Sequence, residues 1–287
     1  MIFMVDGRFD PEMAQGVVVI GLGEVGKPIY EILKERFAEV YGYDLNPSAR
    51  VDELENIPTS IDVIHIAYPF KGFNDFVDSV AGYAHKLGAE TVIVHSTVAP
   101  GTTRIIQSRI EAHVAYSPVR GKHPYLKDHL MFWPKWVSAG NREALEHARI
   151  HLEQAGFRVR IAPDPESLEL AKLWETVYRA AMIACWQEAH RIARMFKADI
   201  GVIAEFISEV HEVLRDRPVY YPDFIGGHCL IPNTRILHEI TGSDLLEFIL
   251  QSNEKRAEEM RDESIAREVE KVKRIWLNLA PKEYYRM

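Results

Sequence analysis

Gly16-Val17-Val18-Val19-Ile20-Gly21-Leu22-Gly23-Glu24-Val25-Gly26-Lys27-Pro28 decides how the first half of this chain is read. The β-branched run Gly16–Ile20 is what a strand buried on both faces of a parallel sheet requires. It flows into G-x-G-x-x-G at Gly21, Gly23 and Gly26, and a helical pattern follows from Ile29 to Phe37. A second strand, Glu39 to Tyr43, ends in Asp44, 18 residues after Gly26. Strand, glycine turn, helix and acid together are the context that a dinucleotide-binding loop needs. The first glycine permits the tight turn, the second admits a pyrophosphate to the backbone, and the third allows close helix–strand packing. A carboxylate at Asp44 accepts hydrogen bonds from both ribose hydroxyls and repels a 2′-phosphate, which favours NAD over NADP. Another adenosine ligand such as S-adenosylmethionine, or no ligand, is the competing reading.

The bulk numbers bound the remaining classes. The chain has 287 residues, 47% hydrophobic and 26% charged, which is the composition of a folded globular protein. Its formal net charge of -8 argues against nucleic acid and gives no support for an anionic membrane surface. No apolar run reaches a membrane span, and Met1 to Gln15 carries acids rather than a cleavable basic and apolar leader. Two cysteines make no disulfide framework, so a reducing cytoplasm is the expected setting. Twelve histidines occur without HExxH or CxxC spacing, and no metal site is expected.

Outward from the glycine loop, apolar runs recur at Ile61–Ala67, Thr91–His95, His113–Tyr116, Trp136–Ala139 and Arg158–Ile161. Helical segments lie between them at Phe73–Leu87, Thr103–Glu111 and, capped by Asn141 and stopped by Gly156, about 142–155. That alternation predicts an α/β fold with a doubly wound parallel sheet. Beyond Pro163-Asp164-Pro165 the pattern turns helical: Glu166–Ala198, Ile200–Leu214, Thr234–Glu239 and Ser243–Met260, with a charged helical stretch over Asn253–Arg274. The breaker-rich Tyr221–Asn233 interrupts them and presents Gly226-Gly227-His228-Cys229 on a loop or helix start. Read alone, that stretch is a tight connection with an inert thiol.

These motifs resemble, in order, those of the UDP-glucose/GDP-mannose dehydrogenases. Gly21–Pro28 is similar to that family's GLGYVGLP loop, and His95–Thr103 (HSTVAPGTT) to its STVPPGTT segment. Tyr116-Ser117-Pro118 is similar to its SPE segment, and Glu169–Leu173 with Gln187-Glu188 to its long-helix pattern. Gly226–Cys229 repeats its GGHC, and Asn253 falls on its late asparagine. The resemblance implies a Rossmann domain over 1–162, a helical dimerisation and substrate domain over 163–262, and a charged tail over 263–287. It further implies a homodimer through the long helix 166–198.

For chemistry it implies oxidation of a sugar alcohol by NAD. Lys172 would stabilise developing oxyanions, Cys229 would attack the aldehyde, and Thr97 would hold water or substrate. Cofactor contacts would come from Gly21, Gly23, Glu24, Val25, Gly26, Asp44, Tyr68 and Pro69. Substrate contacts would come from Thr176, Gly227, His228 and Asn233. The basic and aromatic loop Arg120-Gly121-Lys122-His123-Pro124-Tyr125 competes with an ordinary solvated loop for a role in holding an anion.

Departures from the family pattern are chemical. The SPE glutamate falls on Val119, which neither ionises nor holds water; a helix asparagine is Thr176; an aspartate four residues after the cysteine is Asn233. Only about 25 residues follow the helical domain, too few for the family's third domain. The expectation is an NAD-dependent dehydrogenase for a small anionic substrate, stopping after one two-electron step. A Rossmann protein turned non-redox binding module, or a transferase such as a methyltransferase, is the alternative.

Overall fold

The computed structural model describes residues 16–279. The N-terminal lead-in through Gln15 and the tail from Ala280 lie outside the described residues. Two compact units divide at Lys172 and Leu173.

In the first unit the chain runs β1 (Gly16–Ile20), α1 (Gly26–Lys34), β2 (Glu39–Tyr43), β3 (Val63–Ile66), α2 (Phe73–Leu87) and β4 (Thr91–Val94). It continues through α3 (Thr102–Arg109), β5 (His113–Tyr116), α4 (Leu126–Phe132), β6 (Lys135–Ala139), α5 (Arg142–Gln154) and β7 (Val159–Ile161). The seven strands order as β2-β1-β3-β4-β5-β6-β7. All of β1 is buried, because alternate side chains feed two cores. Val18 and Ile20 pack with α2 and α3 through Phe76, Val77, Val80 and Ile106. Val17 and Val19 pack with α1, α4 and α5 through Ile29, Leu33, Leu130 and Ala148. Each fully buried aliphatic side chain contributes about 1.5–3 kcal/mol, so a sheet covered on both faces is the stable arrangement for such strands.

The sheet is the expected doubly wound one, parallel except at one pair. β6 pairs antiparallel with β5, Ala115 opposite Ala139, while the remaining pairs are parallel. The intervening α4 is a single short helix, and β6 starts at the edge where β5 ends, so it runs back. Helix ends elsewhere follow their chemistry. Asn141 Oδ1 accepts from Ala144 N at 2.8 Å, and Gly88 (φ +56°) and Gly156 (φ +91°) terminate α2 and α5.

α6 (Pro165–Met195) begins in the first unit and continues in the second, where α7 (Ile200–Leu214), α8 (Leu230–Thr241), α9 (Asp244–Glu259) and α10 (Glu263–Leu279) follow. α6 stops at Met195, short of Ala198, because Lys197 turns left-handed (φ 54°) and Asp199 caps α7 through Gly201 N at 2.7 Å. The charged stretch read as one helix over 253–274 is two helices. Asp262 breaks it by accepting from Ser264 N at 2.8 Å, an N-cap for α10. Leu173, Val177, Ala180 and Ala184 of α6 form one core with Ile231, Leu237, Leu246 and Ile249. Among the described residues, no helix is long and apolar enough to cross a membrane.

Candidate functional site

The glycine loop lies where the strand order reverses, with β2 on one side of β1 and β3 on the other. In open α/β sheets that crevice, at the carboxyl ends of the strands, is where ligands bind. The three glycines occupy three different environments. Gly21 takes φ +91°, and a Cβ there would meet Tyr68 N at 2.8 Å. Gly26 has no room at all, since its Cβ would fall 1.7 Å from Gly21 O. Around Gly23 nothing stands within 4 Å of an added Cβ. The loop is therefore closed at its first and third glycines and open at its second, the shape a pyrophosphate needs.

Neighbouring strand ends fasten this loop. Gly21 N donates to Tyr43 O at 2.8 Å and Ala67 N to Ile20 O at 2.9 Å. Asp44 is drawn inward, Oδ2 accepting from Leu22 N at 2.6 Å and Oδ1 from Asn46 N at 2.7 Å. That fixes the carboxylate beside the loop, and each oxygen retains acceptor capacity for a ribose hydroxyl. No side chain caps α1 and no acid stands in its first turn, which leaves the helix N-terminus suited to an anion. Glu24 is exposed and Val25 half-buried. Tyr68 packs on Phe76 and donates to Ser79 Oγ at 3.1 Å; burial pushes its phenol well up, so it stays protonated. Pro69 is exposed. Thus these sequence-predicted residues form one edge, with Tyr68 serving as the wall against Gly21.

Beside it, the segment after β4 is held by a carboxylate that sequence reasoning treated only as part of a pattern. Glu169 is wholly buried and accepts from Gly101 N (2.6 Å), Thr103 N (2.9 Å) and Thr103 Oγ1 (2.5 Å). A carboxylate at the start of α3 satisfies the helix's orphan donors and favours its dipole. It ties Thr97's segment to the first turns of α6, where half-buried Lys172 stands one turn further on. Ser96 Oγ donates to Tyr68 O at 2.6 Å, joining this segment to the glycine loop's wall.

The loop from 119 to 125 divides. Val119 is buried, and Arg120 lies over the Trp133 ring at 5.1 Å while donating to Pro134 O at 2.7 Å. Lys122 and His123 are exposed. Arg120 is therefore a fixed cation, while Lys122 and His123 stand on a solvated stretch.

In the second unit, Cys229 is the N-cap residue of α8 and exposed; neither it nor Cys185 forms a disulfide. Its position matches the loop-or-helix-start reading, except that α8 begins at Leu230 with Pro232 in its first turn, where proline is tolerated. The lead-in is clamped from two helices. Asn253 Oδ1 accepts from Ile225 N at 2.7 Å and its Nδ2 donates to Ile225 O at 3.2 Å, while Gln187 Nε2 donates to Asp223 O at 2.7 Å. Thr176 and Asn233, expected to face substrate, are buried and bonded to each other, Asn233 Nδ2 donating to Thr176 Oγ1 at 2.9 Å. Two departures from the family pattern are thus one mutually satisfied pair. Gly227 has φ +78° with open space beyond it.

Residues 166–255 match the family model for the central domain of the UDP-glucose/GDP-mannose dehydrogenase family. Over that stretch the chain is similar to that family. A curated UDP-N-acetyl-D-mannosamine dehydrogenase from Methanocaldococcus jannaschii is 23% identical over 258 residues, 75% of this chain and 59% of that one. The chain spans about three fifths of the length of the curated relatives it matches. Among solved structures, a UDP-D-ManNAc dehydrogenase from Pyrococcus horikoshii shares the fold with TM-score 0.71 at 20% identity, covering 84% of this chain and 69% of that one. A Mycobacterium tuberculosis 3-hydroxyisobutyrate dehydrogenase does so with TM-score 0.60 at 18% identity, covering 87% and 95%.

In the first unit, one buried feature escaped the sequence reading entirely. His65 Nδ1 lies 2.8 Å from His95 Nε2, and His65 Nε2 lies 2.8 Å from His151 Nε2. His95 Nδ1 lies 2.6 Å from Ser117 O. A carbonyl only accepts, so His95 carries its proton on Nδ1; its Nε2 then accepts from His65 Nδ1–H, whose Nε2 accepts from His151 Nε2–H. One neutral tautomer for each ring satisfies the whole run. Lys135 closes it, 3.2 Å from His95 Nδ1 and donating to Ser117 O (2.7 Å) and Pro118 O (3.0 Å).

Burial, then the charges of Lys172 and Arg120, holds the Lys135 amine well below its ordinary value. The same desolvation holds His65 and His95 well down and takes His151 to about 3. A histidine inside the apolar strand β3 (His65) and another directly after β4 (His95) were the available sequence signals, and they do not specify a partner.

Proposed function

We propose that this chain is an NAD-dependent dehydrogenase that oxidises an alcohol of an anionic, sugar-like substrate. The observation that carries the reading is the glycine loop, closed at Gly21 and Gly26, open at Gly23, with Asp44 fixed beside it. When bound there, a nicotinamide cofactor supplies the hydride acceptor. The chain's own part is positioning and charge. Lys172 stabilises the alkoxide as the hydroxyl proton leaves, and Arg120, held on Trp133, adds positive potential for an anionic group. Thr97, at the end of the segment that Glu169 fastens, orients the hydroxyl. Val119 provides neither a base nor a water site for hydrolysing a covalent acyl intermediate, which supports a single two-electron oxidation.

The similar UDP-N-acetyl-D-mannosamine dehydrogenases support a nucleotide-sugar substrate. A small hydroxy acid is the second reading, favoured by a fold shared over 95% of a chain named for 3-hydroxyisobutyrate. Cys229 and its covalent role are a separate part of the proposal. So is a homodimer through α6, supported by the exposed series Leu170, Trp174 and Tyr178 at four-residue spacing.

Titration of the purified chain with NADH, NADPH and S-adenosylmethionine tests the core reading. Saturable NADH binding, weaker NADPH binding and no response to S-adenosylmethionine are expected; the reverse pattern overturns it. A screen of nucleotide sugars and hydroxy acids for NAD reduction then separates the two substrate readings. Lys172→Ala lowers turnover by at least about 100-fold if the lysine holds the oxyanion. Faster alkylation of Cys229 than Cys185, slowed by substrate, is expected of a reactive thiol.

A further inference from the structure

At the opposite edge of β4 and β5 from the glycine loop, His113, Glu143 and His147 bring their ligating atoms within 4.8 Å of one another. His113 is the first residue of β5, paired in register with Thr91 of β4. Its backbone N donates to Glu90 O at 2.8 Å, so the strand ladder fixes both Glu90 and His113. Glu143 and His147 are four residues apart on α5, hence on one face of that helix, and Asn141 caps the turn that carries them.

The groups stand close without bonding one another directly. His113 Nε2 and Glu143 Oε1 are 3.9 Å apart, as are His147 Nδ1 and Glu90 Oε1. Such separations are too long for hydrogen bonds. The two imidazoles lie 4.2 Å apart between centroids at 52°, with a carboxylate on either side. A tetrahedral ion with metal–donor bonds of about 2.0–2.2 Å spaces its donors about 3.3–3.5 Å apart. Closing from at most 4.8 Å to that spacing needs only modest side-chain rotations, because both histidines are half-buried and Glu143 is mostly exposed.

We infer that His113, Glu143 and His147 form a binding site for a zinc-class divalent ion, with Glu90 as a second carboxylate beside it. Two imidazoles and a carboxylate are a ligand set for Zn²⁺, Co²⁺ or Ni²⁺ rather than for Mg²⁺ or Ca²⁺, which take oxygen. Three ligands from two rigid elements leave a coordination position for water or Glu90. The ion would staple α5 to the start of β5, far along the strands from Thr97 and Gly23, so its role is structural. The sequence spacing hides it: His113 and Glu143 are 30 residues apart, and neither HExxH nor CxxC is present.

The test uses the full chain stripped with a chelator and retitrated with Co²⁺ and Zn²⁺. One equivalent of Co²⁺ should give the intense visible spectrum of a four-coordinate site, and Zn²⁺ should raise Tm by roughly 5 °C at saturation. Mg²⁺ should do neither. Glu143→Gln and His147→Gln, at exposed and half-buried positions that leave the fold intact, should each weaken Co²⁺ binding at least about 10-fold. Cys229→Ser should leave it unchanged. Absence of saturable Co²⁺ binding, binding unaltered in both variants, or binding lost with Cys229 overturns the proposal.

Discussion

The glycine loop after β1 and the Gly226–Cys229 loop of the second unit both carry closely spaced glycines, but for opposite reasons. At Gly26 a single methyl group would collide with backbone, 1.7 Å from Gly21 O, so glycine is a steric necessity. At Gly226 an added Cβ meets only the Phe224 ring at 3.7 Å, and at Gly227 it meets nothing within 4 Å. Gly227 is still needed for its φ of +78°, but the lead-in before it is held by side chains reaching in from elsewhere, Gln187 onto Asp223 O and Asn253 onto Ile225. A loop shaped by its own backbone sterics is written locally; a loop shaped by clamps is written tens of residues away.

The largest effect that should separate the units is acid sensitivity. In the first unit His65, His95 and His151 are neutral when folded, burial holding all three below their ordinary value and His151 at about 3. Unfolded, each titrates near 6.5. Below that pH the unfolded chain binds protons that the folded unit refuses, so stability falls as pH falls, and it is restored as pH rises through 6.5. For His151, held at about 3, the loss from pH 6.5 to 5 approaches roughly 2 kcal/mol, and His65 and His95 add to it in the same direction. In the second unit burial lowers His190, but Glu268 at 2.6 Å partly offsets that. Segment-resolved hydrogen exchange at pH 7 and pH 5 should therefore show β3, β4 and α5 losing protection before α8 and α9. Equal loss in both units would break the comparison.

Next in size is Gly26→Ala. Overpacking against fixed backbone should cost about 3 kcal/mol in urea unfolding and abolish NADH binding. Unchanged binding would mean that the loop opens more easily than its geometry allows. Asn253→Ala should cost less, about 2 kcal/mol, because it strands the buried Ile225 N–H and C=O. Its mark should be local: faster proteolysis and faster Cys229 labelling, with NADH affinity unchanged.

The same contrast explains what the amino-acid order revealed. The β1–loop–α1 unit, the capped α5 and the glycine-stopped α2 were readable because neighbours in sequence do the work: β-branched runs, Asn141, Gly88 and Gly156. The reversal of β6 was not, since a strand's composition carries no direction, and the seven-residue α4 is too short to show a period. Glu169 was visible only as one letter of a helical pattern, yet its partners Gly101 and Thr103 lie 66 to 68 residues earlier. The histidine run joins residues 30 and 86 apart. Likewise Thr176 and Asn233 each look like a lost polar function until the separation of 57 positions between them is folded away and one is seen to bond the other.

The smallest predicted effect is the most diagnostic of the comparison. Gly226→Ala places a methyl at ordinary contact distance from the Phe224 ring, and Gly226 is not among the glycines with positive φ. Its cost to stability should therefore stay within about 0.5 kcal/mol, the range of an ordinary surface substitution. The lead-in backbone should keep its clamps, since Asn253 and Gln187 contact Ile225 and Asp223 rather than the glycine itself. If the function proposed for Cys229 holds, a small stability change accompanied by a large fall in turnover would mean that Gly226 is kept for a ligand's approach. Unchanged turnover and stability together would assign this glycine to neither packing nor chemistry, leaving the clamps as the part of the loop that matters.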